Sequence, residues 1–168
     1  MLPANETAEP IDLSVRIASS ADVSRMALCR LTDPAAGPAD SRMAAYFDGL
    51  HHPRHALVPR RGYLVAVDQR IVGYIAGHLT TRHDCAGEVQ YLFVDPAFRR
   101  RGLATQLLRL MVFWFLEHGA RRVCVCLDAD SPSARPFYES TGAAELSERR
   151  RLWYVWQDIG IVHSSPRH

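Results

Sequence analysis

Between an apolar run ending at Val94 and a longer one beginning at Leu103, the chain reads Asp95-Pro96-Ala97-Phe98-Arg99-Arg100-Arg101-Gly102-Leu103-Ala104. A strand followed by such a turn and then a helix leaves the first backbone N–H groups of the helix unpaired, at the positive end of its dipole. That arrangement binds a phosphate or pyrophosphate. Gly102 and Ala104 keep bulk away from the backbone, and three successive arginines add charge beside it. No Gly-Lys-Ser/Thr follows, so this is not a P-loop; no G-x-G-x-x-G is present, so it is not a dinucleotide fingerprint. A solvated Arg turn that merely starts a helix is the other reading of the same residues. His51, His52 and His55 are interrupted by Pro53 and lack a partnering Cys or Asp cluster, so they read as surface histidines and no metal is expected.

The elements that must position this turn follow from periodicity and breakers. Val15-Arg16-Ile17 reads as a short first strand, and Ser19 with Asp22 three residues on predicts a capped helix running to about Arg30. Pro34 to Pro38 reads as a loop, and Ser41 to Leu50 as a second helix. Tyr63 to Val67 and Arg70 to His78 form a predicted hairpin turning at Asp68-Gln69, a weaker turn pair than Asp-Gly. Glu88 to Val94 is a further strand, Gly102 to His118 a long helix capped by Gly119, and Val123 to Leu127 a buried strand. Ser133 to Ser140 is a short helix and Leu152 to Trp156 a last strand. The order predicts an α/β (α+β) domain: a twisted, mostly antiparallel sheet flanked by helices, with a βαβ unit near its centre. Residues 13–157 are the expected domain, between a 1–12 N-terminal tail and a 158–168 C-terminal tail.

These residues resemble the GNAT superfamily of acyl-CoA-dependent N-acyltransferases. Val94-Asp95-Pro96 followed by Arg99-Arg100-Arg101-Gly102-Leu103-Ala104 matches that family's Q/R-x-x-G-x-G/A signature after a Val-x-Pro-like turn. Ser131-Pro132-Ser133-Ala134-Arg135-Pro136-Phe137-Tyr138-Glu139-Ser140-Thr141-Gly142 approximates its second motif, Asn-x-x-Ala-x-x-x-Tyr-Glu-x-x-Gly. The likeness is strongest over residues 62–142. Ser131 stands where the family usually has Asn, which weakens a contact to the cofactor arm, and Ala143 stands where an aromatic usually follows the glycine.

The resemblance implies acetyl-CoA as co-substrate and direct transfer of its acetyl group to a primary amine in a ternary complex. The backbone of Leu92, Phe93 and Val94 would hold the acetyl carbonyl and pantetheine arm; a β-bulge there would splay this strand from the Val123–Leu127 strand. Amides from Arg99, Arg100, Arg101, Gly102, Leu103, Ala104 and Thr105 would hold the pyrophosphate. Ser131, Ser133 and Phe137 would complete the cofactor site. Tyr138 aligns with the family's general acid, a phenol protonated at neutral pH that returns a proton to the leaving thiolate; packing on the core is its other reading. Glu88 occupies the place of a catalytic glutamate in some members, and strand alternation puts Glu88, Gln90 and Leu92 on one face. His78, Asp84 and a water relay are the alternative bases.

Composition narrows the setting. The chain has 168 residues, 48% of them hydrophobic, and a formal charge of +2, with all 20 basic residues Arg. A near-neutral total argues against a nucleic-acid surface, although Arg99–Arg101 and Arg149–Arg151 keep an Arg-based nucleic-acid binder, or a non-catalytic CoA sensor, as the competing class. Cys29, Cys85, Cys124 and Cys126 are expected as free thiols, and Cys124 and Cys126, two apart on a strand, as core residues. The stretch from Leu103 to Leu116 is too short and too polar to cross a bilayer, and the N-terminus has no apolar core of a signal peptide, so a cytoplasmic location is expected. Trp114 and its neighbours make the long helix apolar nearly all round; the surplus must pack on the first helices or on a second subunit, and a homodimer is expected. The acceptor, a small-molecule amine or a peptide, would be chosen by residues 30–62 and 79–87.

Overall fold

Asp68 and Gln69 both take left-handed backbone angles (φ 48° and 66°), the conformation a two-residue hairpin turn of matching twist requires. That turn joins β2 (Ala56–Val67) to β3 (Arg70–Thr80), preceded by β1 (Leu13–Ile17) and followed by β4 (Gly87–Val94), β5 (Val123–Leu127), β6 (Ala144–Leu146) and β7 (Leu152–Trp156). The computed structural model describes residues 12–127, 134–146, 148 and 150–164. The strands form one seven-stranded sheet in the order β1-β2-β3-β4-β5-β7-β6, antiparallel throughout except for the parallel pair β4 and β5. This is the mixed α/β sheet that the sequence predicts.

Side chains alternate to the two faces, so each face has its own core. On one, Leu64, Ala66, Ile71, Tyr74 and Phe93 pack with Met26 and Cys29 of α1 (Val23–Arg30) and Met43 of α2 (Met43–Phe47). On the other, Val65, Val72, Ile75, Val89 and Val94 pack against α3 (Leu103–Glu117), α4 (Ala134–Ser140) and α5 (Ile161–Ser164). The buried positions of α3, Leu103, Leu107, Leu108, Met111, Val112, Trp114 and Phe115, form the stripe that covers the sheet. Gly77 lets this helix come close: a Cβ there would meet the Glu88 carbonyl at 2.8 Å and the Phe115 ring at 3.0 Å.

Several expected boundaries move. The second helix, expected over Ser41 to Leu50, spans only Met43–Phe47, and β2 begins seven residues before Tyr63, at Ala56. The first helices lie across the sheet from α3, so they do not absorb its surplus apolar surface; Phe113 remains 60% exposed. An apolar groove of about 310 Å³ separates α3 from β1, lined by Val15, Val65, Leu107, Leu110 and Phe113. The segment expected as a C-terminal tail from residue 158 places Ile159 and Val162 in the core, because a one-turn helix brings them back onto α3. Residues 1–11 lie outside the described residues.

Asp22 ties β1 to the first helix. Its buried carboxylate accepts from Arg16 Nη1 and Nη2 at 2.9 and 2.5 Å, from the Ser19 amide at 3.0 Å and from Arg25 Nη2 at 2.9 Å. The Arg16 hydrogen bonds hold this carboxyl well below the usual carboxylate range. The folded state therefore binds the proton less readily than the unfolded chain, so the contribution is complete above about pH 5 and is lost as pH falls through and below the unfolded value near 4. Asp22→Asn should lower the melting temperature at pH 7, and thermal scans of both proteins should show that gap shrinking from about pH 5 towards pH 2. A gap that is constant over this range would contradict the assignment.

Candidate active site

Pairing between β4 and β5 covers only Gly87, Glu88 and Val89, opposite Val123, Cys124 and Val125. One residue later the register of β4 on β3 slips: Ala76 pairs with Tyr91 and Gly77 with Val89, leaving Gln90 as a bulged residue. The two strands then part, as expected from the sequence, and the edge of β4 from Gln90 to Val94 that faces β5 has no strand partner. Such an edge offers unpaired backbone groups to an extended ligand.

The bulge also corrects the expected facing of β4. An extra residue reverses the alternation, so Glu88 does not share a face with Leu92. Leu92 and Val94 pack on the α3 side, whereas Glu88, Tyr91 and Phe93 lie on the side of α1 and α2. The Val94 carbonyl, expected to face the ligand, accepts a hydrogen bond from Arg99 Nε at 2.9 Å.

The turn after β4 is braced from within. Asp95 is buried, its Oδ1 accepts from the Ala97 amide at 2.9 Å, and its other oxygen pairs with the Arg70 guanidinium. Arg99 lies over the Phe93 ring and reaches Asp33 Oδ2 at 2.6 Å, so its side chain clamps the turn to the loop after α1. Arg101 stacks over Phe98, and Arg100 and Gly102 both have positive φ, 62° and 77°. Gly102 is the N-cap of α3, with no side chain capping the helix and nothing within 4 Å of where a Cβ would stand. Leu103 is buried and anchors the helix, while Gly102 is exposed and Ala104 and Thr105 are half-buried around its first amides. A glycine that supplies a left-handed angle beside open space at a helix N-terminus fits a pyrophosphate cradle.

On α4, Tyr138 is buried among the residues that α3 covers, edge-on to Phe137 at 5.1 Å and to Trp156 at 5.6 Å. Burial pushes its phenol up, so the hydroxyl remains protonated at neutral pH. The helix end is fixed by Thr141, whose hydroxyl donates to the Tyr138 carbonyl at 2.6 Å and accepts from Trp156 Nε1 at 3.0 Å. Ser131 and Ser133, expected at the cofactor, lie outside the described residues.

The rival candidate bases prove to be neighbours. Glu88 and His78 are opposite each other on β4 and β3, and His78 Nε2 is 3.3 Å from Glu88 Oε2. That oxygen also accepts from Arg82 Nε at 3.3 Å and Thr80 Oγ1 at 3.4 Å; Arg82 supplies the opposite charge that a buried carboxylate needs. Asp84, the third candidate, is exposed. Sequence reasoning missed Tyr46, Thr80 and Arg82 around Glu88. Tyr46 carries only the pattern of a core aromatic on a short helix. Arg82 is delivered by a turn in which His83 and Asp84 have positive φ, which no periodicity announces. Among the described residues no group of three His, Cys, Asp or Glu could hold a metal, the four cysteines are free, and no helix is long and apolar enough to cross a membrane.

Known proteins resemble this chain in sequence or fold. Mycothiol acetyltransferase of Corynebacterium diphtheriae is 39% identical over 74 residues, 40% of this chain but only 24% of that protein's length. The ribosomal-protein-S18-alanine N-acetyltransferase of Escherichia coli superimposes with a TM-score of 0.63 at 15% identity, over 86% of this chain and 91% of that one. The PaiA N-acetyltransferase of Thermoplasma acidophilum, solved in complex with coenzyme A, does so at 0.65 and 11% identity, over 86% and 98%. Likeness at these identities shows a shared fold. The model of the Acetyltransferase (GNAT) family matches residues 27–143, well over half of the sequence and spanning both the turn at Gly102 and the helix of Tyr138, and the chain belongs to that family.

Proposed function

We propose that this protein is an N-acetyltransferase that passes the acetyl group of acetyl-CoA directly to a primary amine of a small molecule or peptide, without a covalent enzyme intermediate. The observation that carries this reading is the unpaired edge of β4 beyond Val89, ending in the uncapped α3 N-terminus at Gly102. An extended pantetheine arm fits an open strand edge, and a pyrophosphate fits the helix amides that follow it. A backbone N–H of Leu92 or Phe93 aimed at the thioester oxygen would stabilise the oxyanion as the amine attacks. Glu88 would take the proton that an ammonium must lose first, and Tyr138 would return one to the leaving CoA thiolate. The names of the relatives, one specifying a ribosomal-protein alanine and another mycothiol, favour neither acceptor class.

Two features bear on the remaining expectations. Arg99 is already engaged by Asp33, which removes one member of the arginine triplet from any nucleic-acid surface and supports the acyl-CoA reading over that alternative. The exposed apolar side chains Leu13, Val15, Ile17 and Phe113 support the expectation of a homodimer.

Two substitutions test the assignment. Tyr138→Phe should reduce turnover, followed as thiol release with an amine acceptor, by about 10²-fold while leaving acetyl-CoA affinity within about twofold. Unchanged turnover would remove the general-acid role. Gly102→Glu places a carboxylate in the proposed cradle at a left-handed backbone position, and calorimetric titration should show acetyl-CoA binding weakened at least about tenfold. Unchanged affinity would contradict the pyrophosphate site.

A further inference from the structure

Behind Glu88 lies a polar series that none of the steps above uses. Tyr46 on α2, His78 on β3 and Glu88 on β4 follow one another from the helix layer across two neighbouring strands on the same face of the sheet, with exposures of 0%, 0% and 4%. Tyr46 Oη is 3.0 Å from His78 Nδ1, and His78 Nε2 is 3.3 Å from Glu88 Oε2. The second contact does not form a hydrogen bond, so Nε2 is a buried polar atom without a hydrogen-bond partner among the described residues. A buried orphan next to a carboxylate asks for a reason.

The surroundings select one tautomer. Burial pushes the Tyr46 phenol up, so its hydroxyl stays a donor, and Nδ1 is the lone pair that receives it. The ring hydrogen then sits on Nε2, facing the Glu88 carboxylate. In the opposite tautomer an imidazole lone pair would face a carboxylate oxygen in a buried setting, which is electrostatically unfavourable. The other titratable or charged groups around the series are Arg60, whose guanidinium lies over the Tyr46 ring at 4.7 Å, Tyr91 against that ring at 5.4 Å, and Arg82 on Glu88. Thr80 donates from β3, and Cys124, the register partner of Glu88 on β5, packs with Cys85 on the far side.

We propose that His78 is a positioning residue for Glu88, held by Tyr46 as the Nε2–H tautomer so that a donor faces the carboxylate as it exchanges a proton with the acceptor. The step balances simply: the acceptor ammonium becomes an amine and the Glu88 carboxylate becomes a carboxylic acid, with His78 neutral on both sides. The inference rests on the reading of Glu88 as the base.

Nitrogen-15 NMR of the imidazole rings in the full chain tests it, because ring-nitrogen shifts separate the two tautomers and the cation. The His78 signals are assigned by their loss in His78→Gln, or in His78→Asn should that variant fail to fold. The wild type should show His78 as a single Nε2–H tautomer at neutral pH. Tyr46→Phe, which keeps the ring in the core, should give a mixture of tautomers, and Glu88→Gln, which removes the facing charge, should move the His78 Nε2–H signal at fixed pH. A merely structural histidine would lose thermal stability in Tyr46→Phe but keep its tautomer. An Nδ1–H tautomer in the wild type, or a His78 Nε2–H signal indifferent to Glu88→Gln, would overturn the proposal. Acetyl-CoA is titrated into the same wild-type samples by thermal shift. No saturable stabilisation would take down the acyl-transfer reading, and the role in acceptor deprotonation with it. Stabilisation beside a mixed or indifferent His78 would overturn the inference about His78 alone.

Discussion

A single extra residue in β4 governs much of what this protein can do. Gln90 has no counterpart on β3, and the register slip it creates bends β4 away from β5 just beyond the three paired residues Gly87 to Val89. A parallel pair that continued to Val94 would satisfy the backbone groups of both strands and leave nothing for a ligand to bind. The slip is accommodated by Gly77, where a side chain would collide with the Glu88 carbonyl and with the ring of Phe115 on α3. Gly77 therefore leaves room both for the slip and for the close approach of the helix that begins at the Gly102 turn.

The bulge also sorts the chemistry between the two faces. Before it, Glu88 points to the side of α1 and α2, where it meets His78, Arg82 and Thr80. After it, Leu92 and Val94 pack on the side of α3, which also buries Tyr138. An acyl donor lying along the open edge of β4 would have the proposed acid on one side of the sheet and the proposed base on the other. In that arrangement acid and base would not compete for the same space.

What was legible in the sequence follows from where residues are packed on both sides. β5 and β7 lie inside the sheet, so their boundaries could be read directly as the apolar runs Val123 to Leu127 and Leu152 to Trp156. The Gly102 turn was legible because its signal is local: a glycine beside three arginines at a helix start can be recognised without any tertiary contact. The first half of β2 was not: His51 to Gly62 is rich in breakers, and Pro59 is tolerated there only because the pairing is irregular between Ala56 and Arg60. β6 is three residues long and largely exposed, too short for alternation to register. The facing of Glu88 was misread for a more general reason. A period of two holds only while the register holds, and no residue type marks Gln90 as the one that breaks it.

The central claim is that CoA lies along the open edge of β4 and the first turn of α3, and amide hydrogen exchange with and without CoA tests it most directly. Saturating CoA should slow exchange at residues 91–94 and 99–105, where the bound arm and pyrophosphate would cover backbone N–H groups, and leave β1 and the β2–β3 turn unchanged. Protection confined to other elements, or none in protein that binds CoA, would contradict the account.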